Sequence, residues 1–222
     1  MKEKVLMCWS GGKDSAMALF ELQKLQKFEV VALLTTVTQD YERISMHGVR
    51  RVLLEQQAAS LGIPLEIVFI SKNCSNQDYE SKMQAVLEKY KLQGVTSVVF
   101  GDIFLEDLKK YREENLAKLN LKGIFPLWKK DTLELAQAFQ SMGFKAIVTC
   151  IDSFVLGKEF AGMYFNKTFI EKLPLEIDPC GENGEFHSFA FAGPIFKKEI
   201  SFTVGETVLR DNRFYFCDLL PT

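Results

Sequence analysis

Six consecutive residues near the start of the chain could bind a phosphate group. They follow an apolar run at 5–9, they precede a segment with helical spacing that begins at Ala16, and they read Ser10-Gly11-Gly12-Lys13-Asp14-Ser15. Paired glycines let a backbone turn sharply and approach a ligand with no Cβ in the way. The free N–H groups of the first helical turn point to the same place. The pattern therefore predicts an anion-binding loop between a strand and a helix.

This loop needs further charges before it can hold a nucleoside triphosphate. A helix terminus contributes about 0.3–1 kcal/mol toward a nearby negative charge, whereas a hydrogen bond to a charged group is worth about 1.5–3 kcal/mol. Lys13 and the hydroxyls of Ser10 and Ser15 can donate such bonds. Asp14 would repel phosphates unless a divalent cation lay between them, so we expect Mg²⁺ with Asp14 as its ligand.

Strands and helices alternate through the first two thirds of the chain. Apolar runs at 28–37, 65–70 and 95–100 read as buried strands, and a helix at 49–61 is expected to turn Val52, Leu53, Gln56 and Ala59 inward. This alternation predicts an α/β fold with a doubly wound parallel sheet. Its connections bring the six-residue loop, the polar loop after Val37 and Gly101-Asp102 to one edge of the sheet.

The composition changes after a fifth predicted strand at 145–150. Strand signals at 200–209 and 214–220 flank the turn residues Asp211-Asn212. We therefore expect a nucleotide-binding domain at 1–152 and a small β-rich C-terminal domain at 153–222.

The composition argues against several classes of protein function. The 222 residues are 47% hydrophobic and carry a net charge of −2, which gives no electrostatic case for a nucleic-acid partner. No apolar run approaches the about 18–20 residues of a membrane span, and no signal segment precedes the first strand, so a cytoplasmic location is expected. The five cysteines form no C-x-x-C pair, which argues against a zinc knuckle or a disulfide framework.

The six-residue loop resembles a known phosphate-binding loop. It is not a Walker A motif, because Met7 stands where that motif has glycine and Asp14 stands where it has Ser or Thr. It is similar instead to the PP-loop of the N-type ATP pyrophosphatases, which cleave ATP between the α and β phosphates and transfer AMP to a substrate oxygen. The resemblance implies ATP as the nucleotide, so that 1–152 would be a PP-loop ATP-binding domain with a Rossmann-like sheet.

Four motifs in order resemble the diphthine-ammonia ligase family. They are the loop at 10–15, Gly101-Asp102-Ile103, Pro126-Leu127-Trp128 followed by Asp131, and the segment from Cys180 to His187, which contains Gly-Glu-Asn-Gly-Glu. Many enzymes share the PP-loop, so this last segment is the discriminating motif. The resemblance covers nearly the full chain and ends in the last twenty or so residues.

The resemblance implies an ATP-dependent amidation. A substrate carboxylate attacks the α-phosphate, pyrophosphate leaves, and ammonia then displaces AMP. The substrate would be diphthine on elongation factor 2 or, since bacteria-like relatives exist, another small carboxylate. The implied partners are ATP, ammonia and this acceptor, with 153–222 as the substrate-binding domain. A homodimer is left open.

Candidate catalytic and substrate residues lie in these motifs. Lys13, with magnesium, would stabilise the negative charge of the reacting groups, and Glu182 and Glu185 could hold ammonium and take its proton. His47, Asn183 and His187 are candidate substrate contacts. The alternatives are a solvent-exposed turn at 181–184, a local cap at His47 and an ordinary strand histidine at His187. Cys180 has no basic partner placed by the sequence, which argues against a nucleophile.

Two other functions stay open on sequence grounds. A PP-loop enzyme that modifies tRNA would need a basic surface and usually metal or persulfide cysteines. A nucleotide-binding sensor without catalysis would bind ATP and release no pyrophosphate.

Overall fold

The computed structural model describes residues 2–222, which form two β sheets and six α helices. The strands are β1 (Glu3–Cys8), β2 (Phe28–Thr38), β3 (Arg43–Ile44), β4 (Leu65–Ile70), β5 (Ser97–Val99), β6 (Lys122–Ile124), β7 (Lys145–Asp152), β8 (Phe186–Ala192), β9 (Phe202–Arg210) and β10 (Phe214–Pro221). The helices are α1 (Lys13–Lys24), α2 (Arg51–Leu61), α3 (Asn76–Lys91), α4 (Glu106–Ala117), α5 (Thr132–Ser141) and α6 (Lys167–Lys172).

The first sheet is mostly parallel. Its parallel strands pair in the order β4-β2-β1-β5-β6, with Met7 of β1 opposite Leu33 and Val99. The short β3 pairs antiparallel with the end of β2 at Val37 and Thr38, beyond the last residue of β1 that pairs.

Helices cover both faces of this sheet. Alternate residues of β1 enter different apolar clusters, since Val5 and Met7 pack in the cluster with α1 and α2, whereas Leu6 packs in the cluster with α3 and α4. Strands buried on both faces explain the continuous apolar runs of the sequence. The prediction of an α/β doubly wound sheet is confirmed.

The second sheet is antiparallel, in the order β8-β7-β10-β9. The predicted strand at 145–150 exists as β7, but Cys150 pairs with His187 of β8 and Phe216 of β10 rather than with the first sheet. The division at residue 152 therefore does not follow the boundary between the sheets. This misassignment of β7 has a physical reason. Seven of the eight β7 residues are buried, so the strand has the same continuous apolar pattern as a central parallel strand.

Two shorter features also differ from the expectation. β6 lies in a segment for which no strand was predicted, and its three residues pair with β5. On α2 the buried residues are Leu53, Leu54, Gln57, Ala58, Ser60 and Leu61, so the inward face is rotated by about one residue from the predicted one.

The two sheets share one core. A single apolar cluster includes Trp9 and Leu53 from the first layer and Phe139 and Phe189 from the second. Within residues 2–222, none of the helices combines the length and the apolar character needed to cross a membrane.

Candidate active site

The loop at 10–15 connects β1 to α1, as predicted. Gly12 is the N-terminal cap of α1, and Gly11 has a φ of +76°, a region that glycine occupies without strain. The Ser15 hydroxyl donates to the Gly12 carbonyl at 2.9 Å, and the Ser10 hydroxyl accepts from the Gly12 N–H at 3.3 Å. These bonds close the loop on itself at the carboxyl end of β1.

The second sheet contacts this loop through β8. The Ala190 N–H donates to the Gly11 carbonyl at 2.8 Å, and the Lys13 N–H donates to the Ser188 hydroxyl at 3.2 Å. A Cβ on Gly12 would lie 3.0 Å from the Ser188 carbonyl oxygen and 3.0 Å from His47 Cε1. A side chain at position 12 would therefore press on β8 and on His47, and glycine avoids this crowding.

Gln57 of α2 is a central contact that the sequence analysis missed. Its side chain is fully buried, accepts from the indole N–H of Trp9 at 2.9 Å, and donates to the carbonyls of Gly11 at 2.9 Å and Ala190 at 2.6 Å. The predicted face placed Gln56 inward, one residue away. The helical spacing of Leu53, Leu54, Ala58 and Leu61 is the signal that would have placed Gln57 on the inward face.

The Lys13 side chain points into the protein. It is 3% exposed, and its ammonium lies 2.8 Å and 2.9 Å from the Asp14 carboxylate oxygens and donates to the Cys180 carbonyl. The rings of Phe165 and Phe186 lie within 5.6 Å of Nζ. Although burial opposes the charge, the adjacent Asp14 raises the pKa of Lys13, so the ammonium is retained.

Asp14 is the predicted magnesium ligand, and its side chain is 32% exposed. Residues 2–222 contain no cluster of three or more His, Cys, Asp or Glu side chains with metal-binding geometry. Mg²⁺ at nucleotide sites is commonly held by one or two carboxylates together with substrate phosphates. A partly exposed carboxylate at the mouth of the loop fits that mode of binding, and the assignment stays a prediction.

Gly101 and Asp102 reach the loop from the end of β5. A Cβ on Gly101 would lie 3.0 Å from the backbone carbon of Asp14, so this glycine permits close contact. The Asp102 carboxylate accepts two bonds from Arg112 of α4, at 2.6 Å and 3.1 Å. Gly101 and Asp102 therefore lie at the sheet edge beside the loop at 10–15, and the Asp102 carboxylate forms a bidentate ion pair with Arg112.

Glu182 joins the discriminating segment to the same edge. One of its carboxylate oxygens accepts from the Ile103 N–H at 2.7 Å. Burial, supported by the negative charges of Asp14 and Asp102, raises the pKa of Glu182 to about 7. A carboxyl group that titrates near neutrality is suited to proton transfer at physiological pH.

Glu185 and Asn183 stabilise the turn at 178–185. Glu185 is 7% exposed and accepts from the Asp178 N–H at 3.2 Å and from the Asn183 side-chain amide at 2.9 Å. Its second oxygen, Oε2, is buried without a partner among residues 2–222. These bonds lie within the turn itself.

The two histidines of the chain lie against each other beside the loop. The ring centroids of His47 and His187 are 4.6 Å apart, and His47 Nδ1 donates to the Ser188 carbonyl at 3.2 Å. Burial, together with the charge of Lys13, lowers the pKa of His47 to about 4, and burial places the pKa of His187 well below its ordinary value. Both rings are therefore neutral at physiological pH.

Cys180 is buried, and its thiol donates to the Thr132 carbonyl at 3.3 Å. Burial raises the pKa of this thiol, so the nucleophilic thiolate is disfavoured. This agrees with the argument from sequence against a nucleophile.

A doubly wound sheet with this loop at its carboxyl edge defines a PP-loop type of nucleotide-binding fold. The family model described as "Diphthamide synthase N-terminal domain" matches residues 1–123, and the model described as "Diphthamide synthase C-terminal domain" matches residues 131–218. The chain belongs to the diphthamide synthase family.

Relatives named diphthine–ammonia ligase share this similarity. The protein from Schizosaccharomyces pombe is 30% identical over 92% of this chain, and this chain spans 37% of its length. The protein from Danio rerio is 28% identical, and the match covers 91% of this chain and 88% of the relative. Their name describes a ligase that joins ammonia to diphthine.

The similar solved structures include the predicted subunit of a tRNA methyltransferase from Methanocaldococcus jannaschii. It is 18% identical, with a TM-score of 0.46, and the match covers 89% of this chain and 100% of that one.

Proposed function

We propose that this protein is an ATP-dependent amide ligase that converts a substrate carboxylate into an amide. The carboxylate attacks the α-phosphate of ATP, pyrophosphate leaves, and ammonia displaces AMP from the acyl-adenylate. The observation that carries the proposal is the bond from the Lys13 ammonium, in the loop at 10–15, to the Cys180 carbonyl, two residues before Glu182, because residues of both matched family domains then contribute to one site.

The loop at 10–15 would bind the phosphates. The N–H groups at the start of α1 and the hydroxyls of Ser10 and Ser15 offer donors, and Gly101 would allow the nucleotide to approach the sheet edge. Lys13 would supply the positive charge after exchanging the Cys180 carbonyl for a phosphate oxygen. Mg²⁺ held by Asp14 would neutralise phosphate charge when bound.

Glu182 would accept a proton from ammonium, so that neutral ammonia is the attacking species. Its raised pKa makes this transfer feasible near neutral pH. Glu185 would keep the turn that carries Glu182 in place, and its unpartnered oxygen offers a second acceptor for ammonium.

The acceptor carboxylate would lie near the histidine pair. His47 adjoins Gly12 and packs against His187, and Asn183 lies on the same segment as Glu182. The best candidate for the acceptor is diphthine on elongation factor 2, as the names of the relatives indicate. A small carboxylate metabolite is the alternative.

Release of pyrophosphate and AMP tests this function directly. ATP, magnesium and ammonium are supplied with elongation factor 2 that carries diphthine, or with factor that lacks it. We expect release only with the first, accompanied by a mass change on the factor equal to exchange of a hydroxyl for an amino group. ATP binding without pyrophosphate release on any carboxylate offered would contradict a ligase.

Lys13→Met tests the role of the loop in this reaction. Pyrophosphate release should be lost, because the variant keeps the apolar stem and removes the charge. Stability should fall by about 1–3 kcal/mol, since buried partners lose a donor. Lys24→Met is the matched control on the same helix, where the lysine is mostly exposed. Wild-type release by the Lys13 variant would remove the loop from the mechanism.

A further inference from the structure

The segment that carries His47 is a short connection between β3 and α2. We refer to residues 43–50 as the His47 loop. Its internal bonds are local, with the His47 N–H donating to the Ser45 carbonyl at 2.8 Å and the Gly48 N–H to the Ile44 carbonyl at 3.0 Å. Met46 within it is 59% exposed. These local bonds shape a turn, and other contacts must hold that turn against the rest of the protein.

Asp218 of β10 binds both ends of the His47 loop. One carboxylate oxygen accepts from Arg43 Nη1 at 2.8 Å and from Arg50 Nε at 3.0 Å, and the other accepts from Arg50 Nη2 at 2.7 Å. Arg43 also donates to the Gly48 carbonyl at 2.7 Å. Although burial opposes its charge, the two arginines hold the pKa of Asp218 well below its ordinary value. The carboxylate is therefore ionised and bridges two cations that would otherwise repel each other.

A second contact fastens the loop to the same strand. Gly48 has a φ of +68°, and a Cβ at this position would overlap the ring of Phe216. The loop backbone thus lies directly on β10, two residues from Asp218. Both contacts come from β10, the C-terminal strand.

His47 depends on this attachment for its place in the site. Its ring meets the Ser188 carbonyl and the His187 ring, and it adjoins Gly12 of the phosphate loop. We infer that Asp218 is a positioning residue that holds His47 beside the loop at 10–15 for binding of the acceptor carboxylate. The consequence for catalysis rests on the proposed function.

Imidazole NMR tests the positioning itself, without reference to activity. The chain has two histidines, so two sets of ring signals can be assigned. The charged or titratable neighbours of His47 are Lys13 and His187. In Asp218→Asn the loop should loosen and expose the ring, so the His47 titration midpoint should move from about 4 toward its ordinary value of 6.5.

Asp152→Asn is the matched control for this experiment. Asp152 lies in the same sheet and accepts from Arg213 at 2.6 Å and 2.9 Å, without contact to the His47 loop. It should leave the His47 midpoint at its wild-type value. An unchanged midpoint in Asp218→Asn, or an equal change in both variants, would overturn the positioning role.

Steady-state kinetics then tests the consequence for substrate binding. We expect Asp218→Asn to raise KM for the acceptor about tenfold, the loss of roughly one hydrogen bond, with KM for ATP unchanged. The double variant with His47→Ala should have the KM of His47→Ala alone, because Asp218 acts through that ring. Additive losses would overturn the inference. If wild-type protein released no pyrophosphate with any acceptor, the proposed function would fail, and the NMR result would still decide the positioning.

Discussion

At the scale of the single residue, opposing effects act on the pKa of Glu182. The backbone N–H of Ile103 stabilises its ionised form, while burial and the carboxylates of Asp14 and Asp102 oppose it. Burial is the largest of these effects, so its pKa rises from an ordinary value of 4.5 to about 7. Ionisation of this one group therefore falls in the pH range where the enzyme would work.

Glu182→Gln should abolish the rise in the rate of amide formation with pH. In the wild-type protein, amide formation should rise with pH through about 7, since Glu182 must lose its proton to act as a base. The glutamine variant should be slow, and its rate should not show this rise with pH. Initial rates of AMP release between about pH 5.5 and 8.5, about 1.5 pH units either side of the transition, measure it.

The same substitution has an expected sign on stability. The pKa of Glu182 is higher in the folded protein than in the unfolded chain. Its contribution to the free energy of unfolding is therefore fully present below about pH 4.5 and is lost as the pH rises through about 7. Glu182→Gln should remove this dependence, whereas Glu176→Gln, at an exposed position, should keep it. Parallel stability profiles for all three proteins would argue against the raised pKa.

At the scale of elements, α2 connects the phosphate loop to the second sheet. Gln57 bonds to Trp9 at the end of β1, to Gly11 in the loop and to Ala190 in β8. The Gly11 carbonyl also accepts from the Ala190 N–H, so three elements meet around one side chain. The position of the loop is therefore set by contacts far away in sequence.

Gln57→Met should destabilise the protein and weaken nucleotide binding. The indole N–H of Trp9 and the Ala190 carbonyl would lose their bonds to Gln57 in a buried site, at about 1–3 kcal/mol each. Denaturant unfolding and ATP titration measure the two effects. Gln56→Met, one residue earlier on α2 and partly exposed, should change both little. Equal losses in both variants would show that Gln57 has no special role.

The secondary-structure elements could be predicted from the sequence better than their contacts. The strands at 65–70 and 214–220 and the loop at 10–15 were placed well, because hydrophobic runs and paired glycines are local signals. β7 was recognised as a strand but assigned to the wrong sheet, since a strand buried on both faces has the same pattern in either. The bond partners of Gln57 and Asp102 could not be predicted, because they come from residues far away in the chain.

At the scale of the whole molecule, the two sheets are joined by polar and apolar contacts. The phosphate loop rests on β8, Ser60 of α2 donates to the Lys198 carbonyl at 2.6 Å, and one core spans both layers. Neither layer has a separate core on the side where they meet. The two family domains should therefore unfold together.

Denaturant unfolding should show a single cooperative transition for both layers. Trp9 fluorescence, recorded in a Trp128→Phe variant because the chain has two tryptophans, reports the first layer, where the Trp9 ring is 2% exposed. Far-UV circular dichroism reports both sheets. The two transitions should coincide. Two resolved midpoints would contradict a shared core, and Ser188→Ala, which removes the acceptor for the Lys13 N–H, should lower the common midpoint without splitting it.

Local chemistry in the chain sufficed to predict a phosphate-binding loop, an α/β nucleotide fold and a family resemblance that the comparisons confirm. These features depend on neighbouring residues, which sequence patterns record. Only the folded chain sets Glu182 against Ile103, packs His47 against His187 and holds the His47 loop on Asp218. Each of these contacts joins residues from different elements, and burial by those elements then changes their pKa values, so the site's chemistry arises from packing.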